Sequence, residues 1–432
     1  MTNEQLVARR NQALGAGMPL FYTTPLHIVR GEGVYLFDAD GRRYVDMYNN
    51  VPCVGHGNAR VAEAMDRAQR TLNVHSRYLH EGIVDFAERL VGQHGPSIES
   101  VIVSCSGTEA VEVALRMAKF ATGKSGIVCT NATYHGNSEL VSRLTRISLG
   151  QNSDPAVRAF PFPEAYRPIV AGASEAELKN AYLAKLAEAI SGLEKSGAGF
   201  AGVIMCSILA NEGLPDIPAG FMAAAAKMAR DAGGVVISDE VQAGYCRTGK
   251  WWGYEVTGFT PDIVTTGKPM GNGLPLAATA ASKALVDNFR ARTRYFNTSA
   301  SSPLQAAAGI AVLEEIERQD LGTSVARVGA ALKAALTERK RRRPFIGDVR
   351  GHGLFLGVEI VKDDGAKTPD VDRAVDMVDR LKDKGFLISN AGIFRNVLKI
   401  RPPLVFRHEH AEAFLAAFDE VVEAVAEKEL AK

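Results

Sequence analysis

Through the middle of this chain, short apolar runs rich in valine, isoleucine and threonine alternate with longer segments whose apolar residues recur at helical spacing. The runs predict strands over 101–104, 126–130, 202–206, 234–238 and 263–266, and the helical spacing predicts helices over 109–122 and 175–196. Strands and helices alternating in this way build a mainly parallel sheet covered by helices on both faces. The two ends have a different texture. Near the start, GEGVYLFDADGRRYVDM reads as two strands joined by an Asp40-Gly41 turn. Near the end, VRGHGLFLGVEIV is rich in strand formers and is followed by a helix, a strand over 397–401 and a closing helix. The expected fold class is α/β, with a large domain over 61–325 and a small α+β domain assembled from both termini, 1–60 and 326–432. A long helix from 304 through 318 and beyond connects them, and the segment 152–174, rich in Pro, Ala and Gly, is expected to be a surface excursion.

Composition narrows the function classes. The chain has 432 residues, 46% of them hydrophobic and 23% charged, which is the balance of an ordinary globular protein large enough for two cores. A net charge of +1 argues against a nucleic-acid surface. No apolar run approaches the roughly 18 residues that span a bilayer. The polar start MTNEQLVARRNQ carries no hydrophobic signal region, so a cytoplasmic location is expected. Five scattered cysteines without CxxC spacing, and no HExxH motif, point to neither disulfides nor a metal site.

Candidate chemistry centres on Lys268, in PDIVTTGKPMGNGLPLA, where a short strand runs into a glycine-flanked lysine. An amine fixed there, its pKa lowered by burial or by a neighbouring cation, can attack a carbonyl; a lysine solvated in a glycine-rich loop fits the same letters. Asp239 follows the run GGVVIS and lies just beyond a predicted strand, where it either pairs with a buried cation such as a pyridinium nitrogen or caps the next turn. Ser106, Gly107 and Thr108 open a predicted helix, an arrangement that binds an anion such as a cofactor phosphate and equally serves as an ordinary cap. Tyr134 and His135, in TYHGNS, offer a flat side chain to stack on an aromatic ring, or a core tyrosine beside a turn. All four groups fall at the carboxyl ends of successive predicted strands, where open α/β sheets bind ligands.

In this order the residues resemble the class III aminotransferases, pyridoxal-phosphate enzymes of fold type I, the aspartate aminotransferase fold. The resemblance covers nearly the whole chain, from DADGRRYVD and GHG through SGTEA, YHG, SDEVQAGYCRTG and TTGKPMGNGLPLAA to FNTSASSP and GDVRGHGLFLGVEI. It implies pyridoxal 5′-phosphate held on Lys268 as a Schiff base, with Lys268 moving the proton between Cα and C4′. It further implies that Asp239 pairs with the pyridine nitrogen, Val241 packs under the ring, Gln242 reaches the phenolic oxygen, Gly107 and Thr108 hold the phosphate, and Tyr134 stacks on the ring. Thr298 of FNT would reach the neighbouring subunit's phosphate, which implies a homodimer with shared active sites.

The departures concern the substrate. Where many members that act on ω-amino acids have Glu-Pro and, three residues before a Pro-Pro pair, an arginine, this chain has Cys206-Ser207 and Lys399. Arg401 lies two residues along the same predicted strand and so on the same face, as a carboxylate ligand or a solvated edge arginine. The stretches LFYTTPLH, YNNVP and NVHSRYLH look like the branch that contains ethanolamine-phosphate and phosphohydroxylysine phospho-lyases alongside aminotransferases. In that branch Tyr22, Arg77 and His80 become candidates for an anionic substrate group, against surface or core roles for each. The expected activity is transfer of an amino group from a primary amine or amino acid to an oxo acid by ping-pong kinetics. The alternative is elimination of phosphate and ammonia from an O-phospho-amino alcohol such as phosphoethanolamine. Intact Lys268, Asp239 and phosphate cradle weigh against a non-catalytic binding protein.

Overall fold

The computed structural model describes residues 2–146 and 154–430. Three strands near the start, β1 (Ile28–Glu32), β2 (Tyr35–Asp38) and β3 (Arg43–Asp46), form an antiparallel meander. The Asp40-Gly41 turn joins β2 to β3, with Gly41 at φ 82°. Then come β4 (Ser100–Ser104), β5 (Gly126–Thr130), β6 (Val157–Phe160), β7 (Phe200–Cys206), β8 (Val235–Asp239), β9 (Ile263–Thr266) and β10 (Ala277–Ala281), arranged in one sheet in the order β4-β10-β9-β8-β7-β5-β6. The last strands are β11 (Ile346–His352), β12 (Phe355–Ile360), β13 (Phe386–Leu387), β14 (Ser389–Ala391) and β15 (Val397–Ile400). Strands β11-β12-β15-β14 make a third sheet, while β13 pairs in parallel with β3 through Phe386–Val45 and Leu387–Asp46, so one small sheet draws on both ends of the chain.

In the central sheet, neighbouring residues of one strand point to opposite faces, and both faces are apolar. Val203, Met205, Val236 and Val264 belong to one core cluster, while Ile204, Ile237 and Ile263 belong to another on the far side. Helix Gly107–Thr122 packs on the second face with Val111, Ala114, Leu115 and Ala118 fully buried. That double burial is why these strands read as continuous apolar runs.

The sheet is mainly parallel as expected, but two of its strands and the place of Asp239 differ from the sequence reading. The sheet is parallel except for β10, which runs antiparallel to both β4 and β9 and was not foreseen; its sequence AATAA carries a single β-branched residue, Thr279, among alanines. Within the expected surface excursion, whose residues 152 and 153 lie outside the described residues, β6 forms an edge strand parallel to β5. Asp239 is the last residue of β8, paired opposite Cys206 and Thr265, and does not lie beyond the strand as expected. No helix among the described residues is long and apolar enough to cross a membrane.

Candidate active site

Strands β7, β8 and β9 run in parallel, so their carboxyl ends meet at one edge. From β9 the chain passes through Gly267, where an added Cβ would sit 3.3 Å from the backbone of Gly107, and reaches Lys268. The loop that follows is pinned from the N-terminal segment. Cys53 Sγ donates to the Pro269 carbonyl at 3.1 Å, and the Asn272 side chain accepts from Val54 N–H at 3.0 Å and donates to the Gly55 carbonyl at 2.9 Å. Lys268 Nζ makes no hydrogen bond to another described residue. Burial lowers its pKa first and the Arg401 guanidinium lowers it further, while Asp239 pulls the other way. The result is a positioned amine, its charged form disfavoured, with no hydrogen bond to another described residue.

Asp239 is almost fully buried beside it. Its Oδ1 accepts from Val241 N–H at 3.0 Å and its Oδ2 from His135 Nδ1 at 2.6 Å. A carboxylate can only accept, so His135 carries a proton on Nδ1, and its Nε2 lies in hydrogen-bond reach of the Thr133 hydroxyl at 3.0 Å. His135 is thus an orienting neighbour of Asp239 and not a stacking plate. The Cys206 thiol sits beside this pair, its Sγ within 4.8 Å of their donor atoms.

Across from Asp239 stands the N-terminus of helix Gly107–Thr122. Ser106 is its cap, accepting from Glu109 N–H at 3.2 Å, which is the ordinary capping role. No other described residue takes the N–H groups of Gly107 and Thr108, which leaves both free for an anion. Gly107 leaves room here for Val241, whose methyl groups an added Cβ would press at 3.1 and 3.2 Å. Gly136, at φ 147°, folds the 131–138 loop against Thr108, whose hydroxyl accepts from Asn137 N–H at 3.3 Å. Tyr134 is 38% exposed on that loop, and its carbonyl accepts from Asn211 Nδ2 at 3.3 Å.

Gln242 joins this constellation to the third sheet. Its Oε1 accepts from Lys399 Nζ at 3.1 Å and from Arg401 Nη1, while its Nε2 donates to Asn211 Oδ1 at 3.3 Å. Lys399 also donates to the Ala210 carbonyl at 3.1 Å, and Arg401 Nε to the Tyr48 carbonyl at 2.9 Å. Both cations are buried, so the solvated-edge reading of Arg401 does not hold. Burial pushes the Lys399 ammonium well below the ordinary lysine range, and Arg401 and Lys268 add to it. Glu212, also buried, accepts from Thr130 at 2.8 Å; its Oε2 has no hydrogen-bond partner.

A cavity of about 620 Å³ opens beside Lys399 and Asn211, walled by Tyr22 and Tyr48. Tyr22, at φ 68°, thus lines this cavity. Two other expected substrate residues do not join it within the chain. Arg77 is exposed with its guanidinium 4.0 Å from the centre of the Phe296 ring, and His80 precedes helix Glu81–Gly92 with its Nδ1 unpartnered. Thr298 is exposed and shares no hydrogen bond with the Lys268 group. Asn211, Tyr48, Thr133 and Glu212 were missed at the level of sequence. Only Glu212, an acid in the apolar run CSILANEGLP, carried a local signal.

Comparison with known proteins places these observations in a family. The family model described as Aminotransferase class-III matches residues 21–422. The chain is 36% identical to alanine–glyoxylate aminotransferase 2 homolog 2, mitochondrial, of Arabidopsis thaliana, over 96% of this chain and 86% of that protein. It is 30% identical to ethanolamine-phosphate phospho-lyase homolog 1 of Caenorhabditis elegans, over 98% and 94%. A solved phospholyase from Arthrobacter in complex with phosphoethanolamine superposes with a TM-score of 0.93 at 38% identity, over 97% of this chain and 99% of that one.

Proposed function

The chain belongs to the class III aminotransferases, and from that premise we propose that it moves an amino group from a primary amine or amino acid to an oxo acid in two half-reactions with ping-pong kinetics. Its cofactor is pyridoxal 5′-phosphate. The residues at the sheet edge fit that group: two free N–H groups at a helix N-terminus for its phosphate, a glycine whose Cβ space Val241 fills, and a carboxylate with room for a further donor. When bound, the cofactor supplies an aldehyde for the amine to condense with and a ring that withdraws electrons from the substrate Cα. On this reading Gly107 and Thr108 hold its phosphate, with Ser106 fixing their helix. Asp239, oriented by His135, meets the pyridine nitrogen, Val241 packs under the ring and Tyr134 stacks over it. Gln242, its oxygen taken by Lys399 and Arg401 and one amide N–H by Asn211, has its other amide N–H for the phenolic oxygen.

The observation that carries the proposal is Lys268, a partly enclosed amine with a lowered pKa, without a hydrogen bond to another described residue and close enough to Asp239 to feel its charge. Lys268 carries the cofactor, and once the substrate amine takes its place, its free amine removes the Cα proton. Replacement by alanine should lower turnover by roughly 10²–10⁴-fold, the range for losing a general base, while the purified protein still takes up cofactor.

We further propose the division into a large unit over 61–325 and a small one from 1–60 and 326–432, a homodimer in which Thr298 serves the neighbouring phosphate, and a cytoplasmic location. A second reading, elimination of phosphate and ammonia from an O-phospho-amino alcohol, is favoured by the likeness to the Arthrobacter phospholyase. Incubation with phosphoethanolamine alone, and with an amine panel plus pyruvate, separates the two. Alanine formation without phosphate release supports transfer; phosphate release without any oxo acid would sink it.

A further inference from the structure

Strands β7 and β8 pair so that Cys206 and Asp239, each the last residue of its strand, stand directly opposite one another. Opposed residues on neighbouring strands send their side chains to the same face. The loop after β5, which lies on the other side of β7, brings His135 to that face, where Nδ1 meets the Asp239 carboxylate at 2.6 Å. An imidazole nitrogen, a thiol sulfur and a carboxylate oxygen, all buried, therefore lie within 4.8 Å of one another, and no other such group of three gathers among the described residues. The amine chemistry uses Asp239 and its partner His135 but gives the thiol no task. Cys206 is also this chain's own departure, standing where many members that act on ω-amino acids have the glutamate of Glu-Pro.

These separations suit a tetrahedral metal centre. Zinc bonds of about 2.0–2.2 Å to nitrogen and oxygen and about 2.3 Å to sulfur set neighbouring ligands about 3.4–3.7 Å apart. His135 Nδ1 and Asp239 Oδ2, 2.6 Å apart, would open by about 1 Å, and Sγ, at most 4.8 Å from the other two donor atoms, would close by roughly the same amount. As the metal binds, the thiol releases its proton to solvent, and the imidazole keeps one on Nε2, within 3.0 Å of the Thr133 hydroxyl oxygen that accepts it. Glu212 points independently to a cation. It is 3% exposed, its Oε2 has no hydrogen-bond partner among the described residues, and its charge bears on both Cys206 and His135. A buried carboxylate oxygen left in this state is costly without a cation nearby. Lys399 is close enough to act on it, yet its ammonium is engaged by the Ala210 carbonyl and Gln242.

We infer that His135, Cys206 and Asp239 form a site for a borderline-soft divalent cation such as Zn²⁺, open in protein without cofactor. Imidazole and thiolate select such an ion over Mg²⁺ or Ca²⁺, which prefer oxygen ligands. Three protein ligands leave the fourth position of the tetrahedron to water. The inference rests on the proposed cofactor pose at one point: a pyridine nitrogen that takes Asp239 removes one of the three ligands. Cation and cofactor then exclude each other, and the metal holds part of the protein in a cofactor-free reserve.

The test titrates the full chain, stripped of cofactor and as holoenzyme, with Zn²⁺ and with Co²⁺, whose bond to a thiolate gives a near-ultraviolet charge-transfer band. Cofactor-free wild type should bind one ion per chain and show the band, and the holoenzyme should do neither. Cys206→Ser should abolish the band and weaken zinc binding by more than roughly 100-fold, since even changes behind the ligands cost about 10–100-fold. Cys105→Ser, at a thiol outside the triad, should bind as wild type does. Circular dichroism checks that Cys206→Ser folds; if it does not, His135→Gln probes the site through a second ligand, with the same loss of affinity expected. Zinc should also slow the capture of pyridoxal phosphate, followed by absorbance, in wild type and not in Cys206→Ser. Binding that depends on Cys206 but is equal in holoenzyme would uphold the metal site and sink the pairing of Asp239 with the pyridine nitrogen. Zinc affinity unchanged in Cys206→Ser and His135→Gln, or cobalt bound without the band, overturns the site.

Discussion

Lys268 shows how one side chain acquires reactivity from its surroundings. An ordinary lysine amine titrates near pH ~10.4; here burial and then Arg401 favour the neutral form, so the nucleophile persists to lower pH. The rate at which cofactor-free protein captures pyridoxal phosphate, followed by absorbance against pH, should therefore fall with a midpoint below that of a free lysine. In Arg401→Gln one cation no longer opposes protonation, and the midpoint should move up. A midpoint that stays put or moves down would show that Arg401 does not act on Lys268. Much of this residue's setting was legible in the letters TTGKP, because a strand, a glycine and a helix breaker are local signals. Arg401 as its electrostatic neighbour was not, because the two lie on different sheets.

At the level of elements, the site depends on loops that the core holds still. The 207–214 loop carries Ala210, Asn211 and Glu212 to the cofactor side, and its Gly213 carbonyl accepts from Arg350 Nε at 3.0 Å and Nη2 at 2.9 Å. Arg350, on β11, is buried and also forms an ion pair with Glu359 of β12 at 2.5 Å, without the alignment of a hydrogen bond. Arg350→Met would strip the loop of its anchor and leave Glu359 with Arg167 and Asn396 alone. Breaking a buried pair costs about 3–5 kcal/mol, and the remaining partners put this one at about 3 kcal/mol, read as a lower denaturation midpoint with weaker cofactor binding. The exposed pair Arg70–Asp66 is the control, expected to lose less than about 1 kcal/mol. Equal effects of the two changes would refute the anchoring role. The strand that ends on Asp239 and the one that leads to Lys268 were readable because buried parallel strands are apolar throughout, whereas β10 and β6 were not, being rich in small or mixed residues.

For the whole molecule, apolar side chains remain exposed around residues 72–79: Leu79 fully, Tyr78 at 63% and Leu72 at 44%. Such patches mark surfaces that pack against another molecule, and the proposed homodimer would cover them. Light scattering should then give twice the mass of one chain, and Leu79→Glu should yield monomer with weakened cofactor binding. A wild-type monomer that holds cofactor fully would exclude the shared site. What the sequence determined by itself was the alternation of the apolar strands and helices, β6 and β10 apart, and the groups that stand at the strand ends, since both follow from the local spacing of apolar residues, glycines and caps. The tertiary structure alone decided which of those groups touch. Lys399 and Arg401 meet Gln242 from 157 and 159 residues away, and Arg146 and Arg395 line one cavity from opposite halves of the chain. Such contacts depend on how three sheets pack, which no periodicity along the chain encodes.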